Sequence, residues 1–194
     1  MEWLHDKEKL FEKDDGYQCL MNAHICPHML SISCLGRYYK DGAENLINAV
    51  FENRSALDIL IYPIVFLYRQ YLELIIKDLI STARQLEEKG DSFPYTHNLK
   101  DLWAEAEELI ESHYKDKSPK QLKYVQNCID DFHKYDPESF AFRYLKDKKG
   151  NYCLEQLKYM NLLTFHETMT RLSNFLDCIN ADLSQRLQAC HDSY

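Results

Sequence analysis

Turn-forming residues are scarce in this chain of 194 residues, which holds only five Gly and five Pro. A sandwich or barrel needs a turn signal roughly every 8–12 residues, so the shortage argues against both and for long helices. Apolar runs are also short. The longest, Ile59 to Tyr68, is interrupted by Pro63 and ends at Arg69, and none is long enough to span a bilayer. The first residues, Met1-Glu2-Trp3-Leu4-His5-Asp6-Lys7, carry charge where a leader would carry an apolar core, so a cytoplasmic location is expected. Positive charge is in deficit, with a formal net charge of −8. This argues against broad non-specific binding of nucleic-acid backbones while leaving room for a local basic site and RNA as a partner, and the acidity reads as solubility. There is no Gly-rich phosphate loop, no His-Glu-x-x-His and no Gly-x-Ser-x-Gly. No cofactor is expected. The seven cysteines are odd in number and scattered, which suits reduced thiols packed as small core residues.

What is present is helical periodicity. Residues 1–20 are charged, with apolar points at Trp3, Leu4, Leu10, Phe11 and Tyr17, and read as an N-terminal helix or arm. The stretch 17–34 is apolar and holds Pro27, which suggests broken helix or packed loop. Together, residues 1–34 form an arm or packed segment, and residues 35–194 the main domain. From Leu35 to Glu52, apolar residues recur at three- and four-residue steps: Tyr38, Tyr39, Ala43, Leu46, Ile47, Val50. Ser55 with Asp58 has the form of a capping box and opens a central helix running to about Lys89, with Gly90 as its C-cap. Pro63 should kink that helix or mark its true first turn. Its first half is apolar all round, so other helices should surround it.

Thr96 caps the next helix, His97 to about Tyr114. Ser118-Pro119 opens another, with Leu122, Val125, Ile129 and Phe132 inward. The period then changes. Phe140, Phe142 and Tyr144 alternate, a Gly150 loop follows, and residues 139–154 read as a β-hairpin. Glu155 to about Ala189 is a last long helix with Leu162, Phe165, Met169, Leu172, Phe175, Leu176, Ile179 and Leu183 as its buried stripe. The expected architecture is an all-α bundle of about five or six helices with one short hairpin.

Three groups of side chains invite a chemical reading. Arg69, Glu73 and Lys77 stand at i, i+4 and i+8 on the central helix. They read first as a solvated stripe closed by ion pairs. The functional alternative is the wall of a groove at a helix or subunit junction, where a buried Arg69 would need Glu73 as partner. Cys19, His24, Cys26, His28 and Cys34 are residue types zinc prefers, but the spacing fits no established zinc pattern. Arg186 and His191 are an Arg and a His with four residues between. An arginine can hold a scissile phosphate while a histidine moves protons, the chemistry of metal-independent RNA cleavage. His166 and Arg171 have the reverse order and lie on different helix faces.

The central helix Tyr62-Pro-Ile-Val-Phe-Leu-Tyr-Arg-Gln-Tyr-Leu-Glu-Leu-Ile-Ile-Lys-Asp-Leu-Ile80, followed by Thr96-His97-Asn98-Leu99-Lys100-Asp101-Leu102, resembles the HEPN superfamily of prokaryotic helical proteins. The segment Phe140-Ala-Phe-Arg-Tyr144 through Gly150 looks like an insertion found in some of them. The resemblance covers residues 56–154. It implies a helical bundle, frequent homodimerisation and a role around RNA. Many HEPN proteins are ribonuclease toxins or defence effectors with an Arg, four to six residues, then a His inside a core helix at the dimer cleft. Here the matching pair is Arg186 and His191, near the end of the sequence given. That departure favours a non-catalytic module that dimerises or docks a partner protein, in a bacterial defence or toxin–antitoxin setting. On this reading the binding residues are Arg69, Glu73, Lys77 and His97, with Arg143 and Tyr144 on the hairpin. The alternatives are a ribonuclease using Arg186 and His191 across a dimer cleft, and a small zinc-binding protein.

Overall fold

The computed structural model describes residues 10–11, 13, 15–17, 19–114 and 119–192. The expected start of the N-terminal arm, residues 1–9, and Ser118 lie outside the described residues. The chain forms two compact units, Met1–Leu30 and Ser31–Tyr194. The first contains two 3-10 turns, Cys19–Met21 and Pro27–Met29, and its Leu20, Met21, Ile25 and Met29 are exposed.

Among the described residues the second unit holds five α-helices: α1 (Ile32–Glu52), α2 (Leu57–Leu86), α3 (Leu99–His113), α4 (Pro119–Tyr135) and α5 (Leu162–His191). The central element is α2, which packs against α1, α3 and α5, while α3 packs on α4. Fifteen of its side chains are buried, consecutively so from Ile75 to Ile80 except at Asp78. By length and composition this is a helix apolar enough to cross a bilayer, contrary to the short-run reading above. Half of that apolar window is buried within the bundle. The expectation that the apolar first half would be surrounded is not met: from Leu57 to Pro63 every residue is exposed or half-buried, Ile59 and Tyr62 among the exposed, and burial in the bundle with α1, α3 and α5 begins at Ile64.

Helix ends differ from expectation in instructive ways. The proposed Ser55 cap is a 3-10 turn instead, Arg54–Ala56, in which Asn53 Oδ1 accepts hydrogen bonds from both Ser55 N and Ser55 Oγ. Pro63 lies inside a continuous α2. The C-terminus of α2 closes with Lys89 N donating to Arg84 O (2.8 Å) and Glu88 N to Gln85 O (3.0 Å), the two bonds of a Schellman motif. The left-handed residue there is Glu88 (φ +59°), two positions before the expected Gly90. At α3 the cap is Asn98 rather than Thr96, and Thr96 Oγ1 instead accepts Asn98 N. The last helix begins at Leu162 under an Asn161 cap, not at Glu155. Tyr38, assigned above to the inner face of α1, is 55% exposed.

The β-hairpin is not formed. Among the described residues there is no strand, only one isolated bridge between Lys146 and Tyr152. The cause lies in Asp136, whose Oδ1 accepts Phe140 N (2.7 Å) and Ala141 N (2.8 Å). With Ser139 left-handed (φ +61°), Arg143 N and Tyr144 N both turn back to Phe140 O. The alternating aromatics are therefore wound into a helical turn, not laid out as a strand. Beyond it, Asp147 carboxylate oxygens accept Lys149 N, Asn151 N and Asn151 Nδ2, closing the Gly150 loop on itself.

Where α1 crosses α2, buried Gly36 lets the backbones approach. A Cβ at that position would lie 3.3 Å from Leu74 Cβ and 3.7 Å from Tyr71 O. Gly36→Val is expected to cost about 1–3 kcal/mol, since a well-packed crossing cannot absorb added carbons without backbone movement. Differential scanning calorimetry should show Tm lowered by about 5 °C; an unchanged Tm would mean the crossing is looser than this contact implies.

Candidate functional site

The Arg69–Glu73–Lys77 row is not a solvated stripe. Arg69 is 0%, Glu73 3% and Lys77 7% exposed. Spacing by four stacks the three side chains along one face of α2, and that face is turned inward toward the connection between α2 and α3. Glu73 is the hub. Its Oε1 accepts Lys77 Nζ and His97 Nδ1, both at 2.8 Å, and its Oε2 accepts Arg69 Nη1 at 3.3 Å. Arg69 Nη2 donates to the His97 carbonyl, so the row grips residue 97 by both backbone and side chain. Lys77 Nζ also lies 5.7 Å from the centre of the Phe93 ring.

Electrostatics follow from this enclosure. Burial pushes the Arg69 guanidinium below its ordinary value, against the pull of Glu73 and Asp136. For Glu73, burial alone would raise the carboxyl. The hydrogen bonds from Lys77 and His97 outweigh it and hold the group below the ordinary range. Asp136 is 2% exposed; its Oδ2 and Arg69 Nε have no hydrogen-bond partner among the described residues.

The structure therefore brings Arg69, Glu73, Lys77 and His97 together, with three of the four enclosed. His97 alone offers surface, its side chain 75% exposed. Arg69 has none for a partner; its work is to hold the start of α3. Arg143 lies nearby on the turn after Asp136. Its Nε (2.9 Å) and Nη2 (2.6 Å) donate to Ser139 O, and its guanidinium stacks 5.4 Å from both the Phe66 and Tyr144 rings. Gln70 Nε2 donates to Ser139 Oγ (3.0 Å), tying the same turn to α2.

Arg186 and His191 are not assembled into a pair. Five residues along an α-helix turn two side chains about 140° apart. Arg186 is engaged elsewhere: it bonds Asp182 at 2.8 Å and stacks 4.6 Å from the Tyr114 ring. His191 is exposed at the end of α5. Of the described side chains of the cysteine–histidine segment, only His24 and Cys26 meet, with Sγ 3.2 Å from Nε2. His28 lies in the Pro27–Met29 turn, Cys34 in the first turn of α1, and the Cys19 side chain is outside the described residues. Among the described residues no three His, Cys, Asp or Glu side chains form a group able to hold a metal ion.

Two further polar clusters escaped the sequence reading. Tyr68 hydroxyl donates to Glu44, whose other oxygen lies 3.5 Å from His166 Nδ1. Tyr71 hydroxyl donates to Asp177 (2.8 Å), which also pairs with Lys40. Burial, reinforced by the adjacent carboxylates, pushes both phenols well above their ordinary value. Tyrosine within an apolar helix was the available signal, because a buried hydroxyl demands a partner.

No family model, curated protein or solved structure matches the chain.

Glu73→Leu leaves two buried cations unpaired and should cost about 3–5 kcal/mol in urea unfolding, whereas Arg69→Met, Glu73→Leu and Lys77→Met combined should cost less than that single change. A triple variant worse than the single one would show the cations are satisfied without Glu73. The pH dependence has a definite sign. A carboxyl lower in the folded than the unfolded chain stabilises above the unfolded value, about 4.3, and that stabilisation is lost as pH falls through the folded value. The urea midpoint should therefore fall less steeply between about pH 5 and 3 in Glu73→Gln than in the parent.

Proposed function

We propose that this chain is a HEPN-like helical module that acts without catalysis, in the cytoplasm, by pairing with a second copy or docking a partner protein in a bacterial defence or toxin–antitoxin setting. The all-helical bundle fits that resemblance. The observation that carries the binding role is the segment after α4. Tyr144 (59%), Leu145 (74%) and Tyr152 (54%) stand exposed on it. Their backbone is nonetheless fixed, through the Asp147 loop and through Arg143 and Gln70 at Ser139. Large apolar side chains held out to water by a rigid frame make a preorganised contact surface, because little ordering entropy remains to be lost on association.

The engagement of Arg186 with Asp182 and Tyr114 favours this reading over the ribonuclease, since a guanidinium spent on its own helix and a phenol ring is not poised for a phosphate. Sedimentation equilibrium is the direct test. The parent chain should associate at micromolar concentration, and Tyr144→Ser with Leu145→Ser and Tyr152→Ser should remain monomeric at unchanged Tm. A parent that stays monomeric throughout removes self-association, and cleavage of total RNA that disappears in Arg186→Ala and His191→Ala would overturn the non-catalytic reading.

A further inference from the structure

Between α2, α4, α5 and the segment after α4 lies a cleft of about 450 Å³, within the range of small-molecule sites. Its composition is unusual in two respects. Five aromatic rings line it: Phe132, Tyr135, Phe142, Tyr159 and Phe165. Asp131 is the one charged residue lining it, and this carboxylate has no hydrogen bond or ion pair among the described residues.

Both features select the same ligand. An aromatic face carries negative electrostatic potential and attracts a cation, most of all one too weakly hydrated to prefer water. An unpaired carboxylate attracts the same charge. The chain makes such a contact itself at the edge of the cleft, where Lys134 Nζ stands 4.9 Å from the Tyr135 ring centre. Phe132 and Phe165 meet edge to face with centroids 6.2 Å apart, and Tyr159 is 93% exposed, its ring uncovered at the rim. Val65, Leu157, Met160 and Met169 add apolar wall suited to a hydrocarbon stem, beside the polar Asn161, Thr164 and Thr168.

We propose that this cleft binds a small organic ammonium ion carried on an apolar stem. The site is separate from the buried charged row and from the surface around Tyr144, so its fate does not decide that of the docking reading.

The test uses the full chain with ¹³C-labelled methionine methyls. Met160 and Met169 line the cleft, and the other three of the five methionines (Met1, Met21, Met29) belong to the N-terminal unit. The probe is benzyltrimethylammonium. Its uncharged counterpart of similar shape is 2-methyl-1-phenyl-2-propanol. The Met160 and Met169 resonances should move on titration with the cation, and the neutral alcohol should bind about tenfold more weakly. Asp131→Asn, an exposed change that leaves the core intact, should narrow that preference, as should Tyr159→Leu. Thr164→Trp, at an exposed wall position, should abolish both titrations while the methionine spectrum stays dispersed. Equal affinity for the two probes, a preference unaltered by Asp131→Asn, or no movement of Met160 and Met169 up to about 10 mM cation would each overturn the proposal.

Discussion

The bundle depends on one carboxylate. Glu73 lies near the middle of the helix that α1, α3 and α5 pack against, and it balances two buried cations while accepting the imidazole of His97. Enclosing ions is expensive, and an enclosed pair is weak support for stability in itself. What this arrangement supplies is direction. Arg69 takes the His97 carbonyl and Glu73 takes its ring, so the chain leaving α2 must return to that helix before α3 can start. An apolar contact could slide by a turn; this one cannot without stranding charge.

The same logic recurs around α2. Tyr68 and Tyr71 are core residues whose hydroxyls reach carboxylates on α1 and α5. Asn180 Nδ2 reaches Asp78 Oδ2 at 3.0 Å. Each polar link joins a particular position of α2 to a particular neighbour, while the apolar surface between them is permissive. A bundle built from Leu and Ile alone would tolerate several registers. The polar links specify one.

Much of this architecture was legible in the residues. Periodicity located all five helices, because apolar spacing reflects a geometry that tertiary contacts seldom override, and the inward face of α4 is the one the pattern gives, with Leu122, Val125, Ile129 and Phe132 buried. Helix ends were less legible. Ser55, Thr96 and Gly90 are all sound capping residues, yet Asn53 caps a 3-10 turn and α2 starts after Ala56 with no side-chain cap, while Asn98 and Glu88 serve at the other two ends, since several residues in a row could cap and only the packed geometry selects one. The hairpin failed for a different reason. The alternation of Phe140, Phe142 and Tyr144 is real, but a carboxylate four residues upstream claims the backbone amides a strand would have offered. For the charged row, spacing alone could not distinguish a stripe facing water from one facing the core. The deciding information was tertiary: the returning chain at Phe93 and His97 covers that face of α2, and nothing in the spacing of the row shows it.

The segment from Asp136 to Asn161 has no regular secondary structure beyond a single bridge, yet two aspartates order its backbone at two places. Asp147 gathers its own loop, so the exposed tip at Lys148, Lys149 and Gly150 is mechanically decoupled from the helices beneath. Length can vary there without a lever acting on the core. That makes the tip the place where this lineage could elaborate or exchange a recognition element while the scaffold is inherited unchanged.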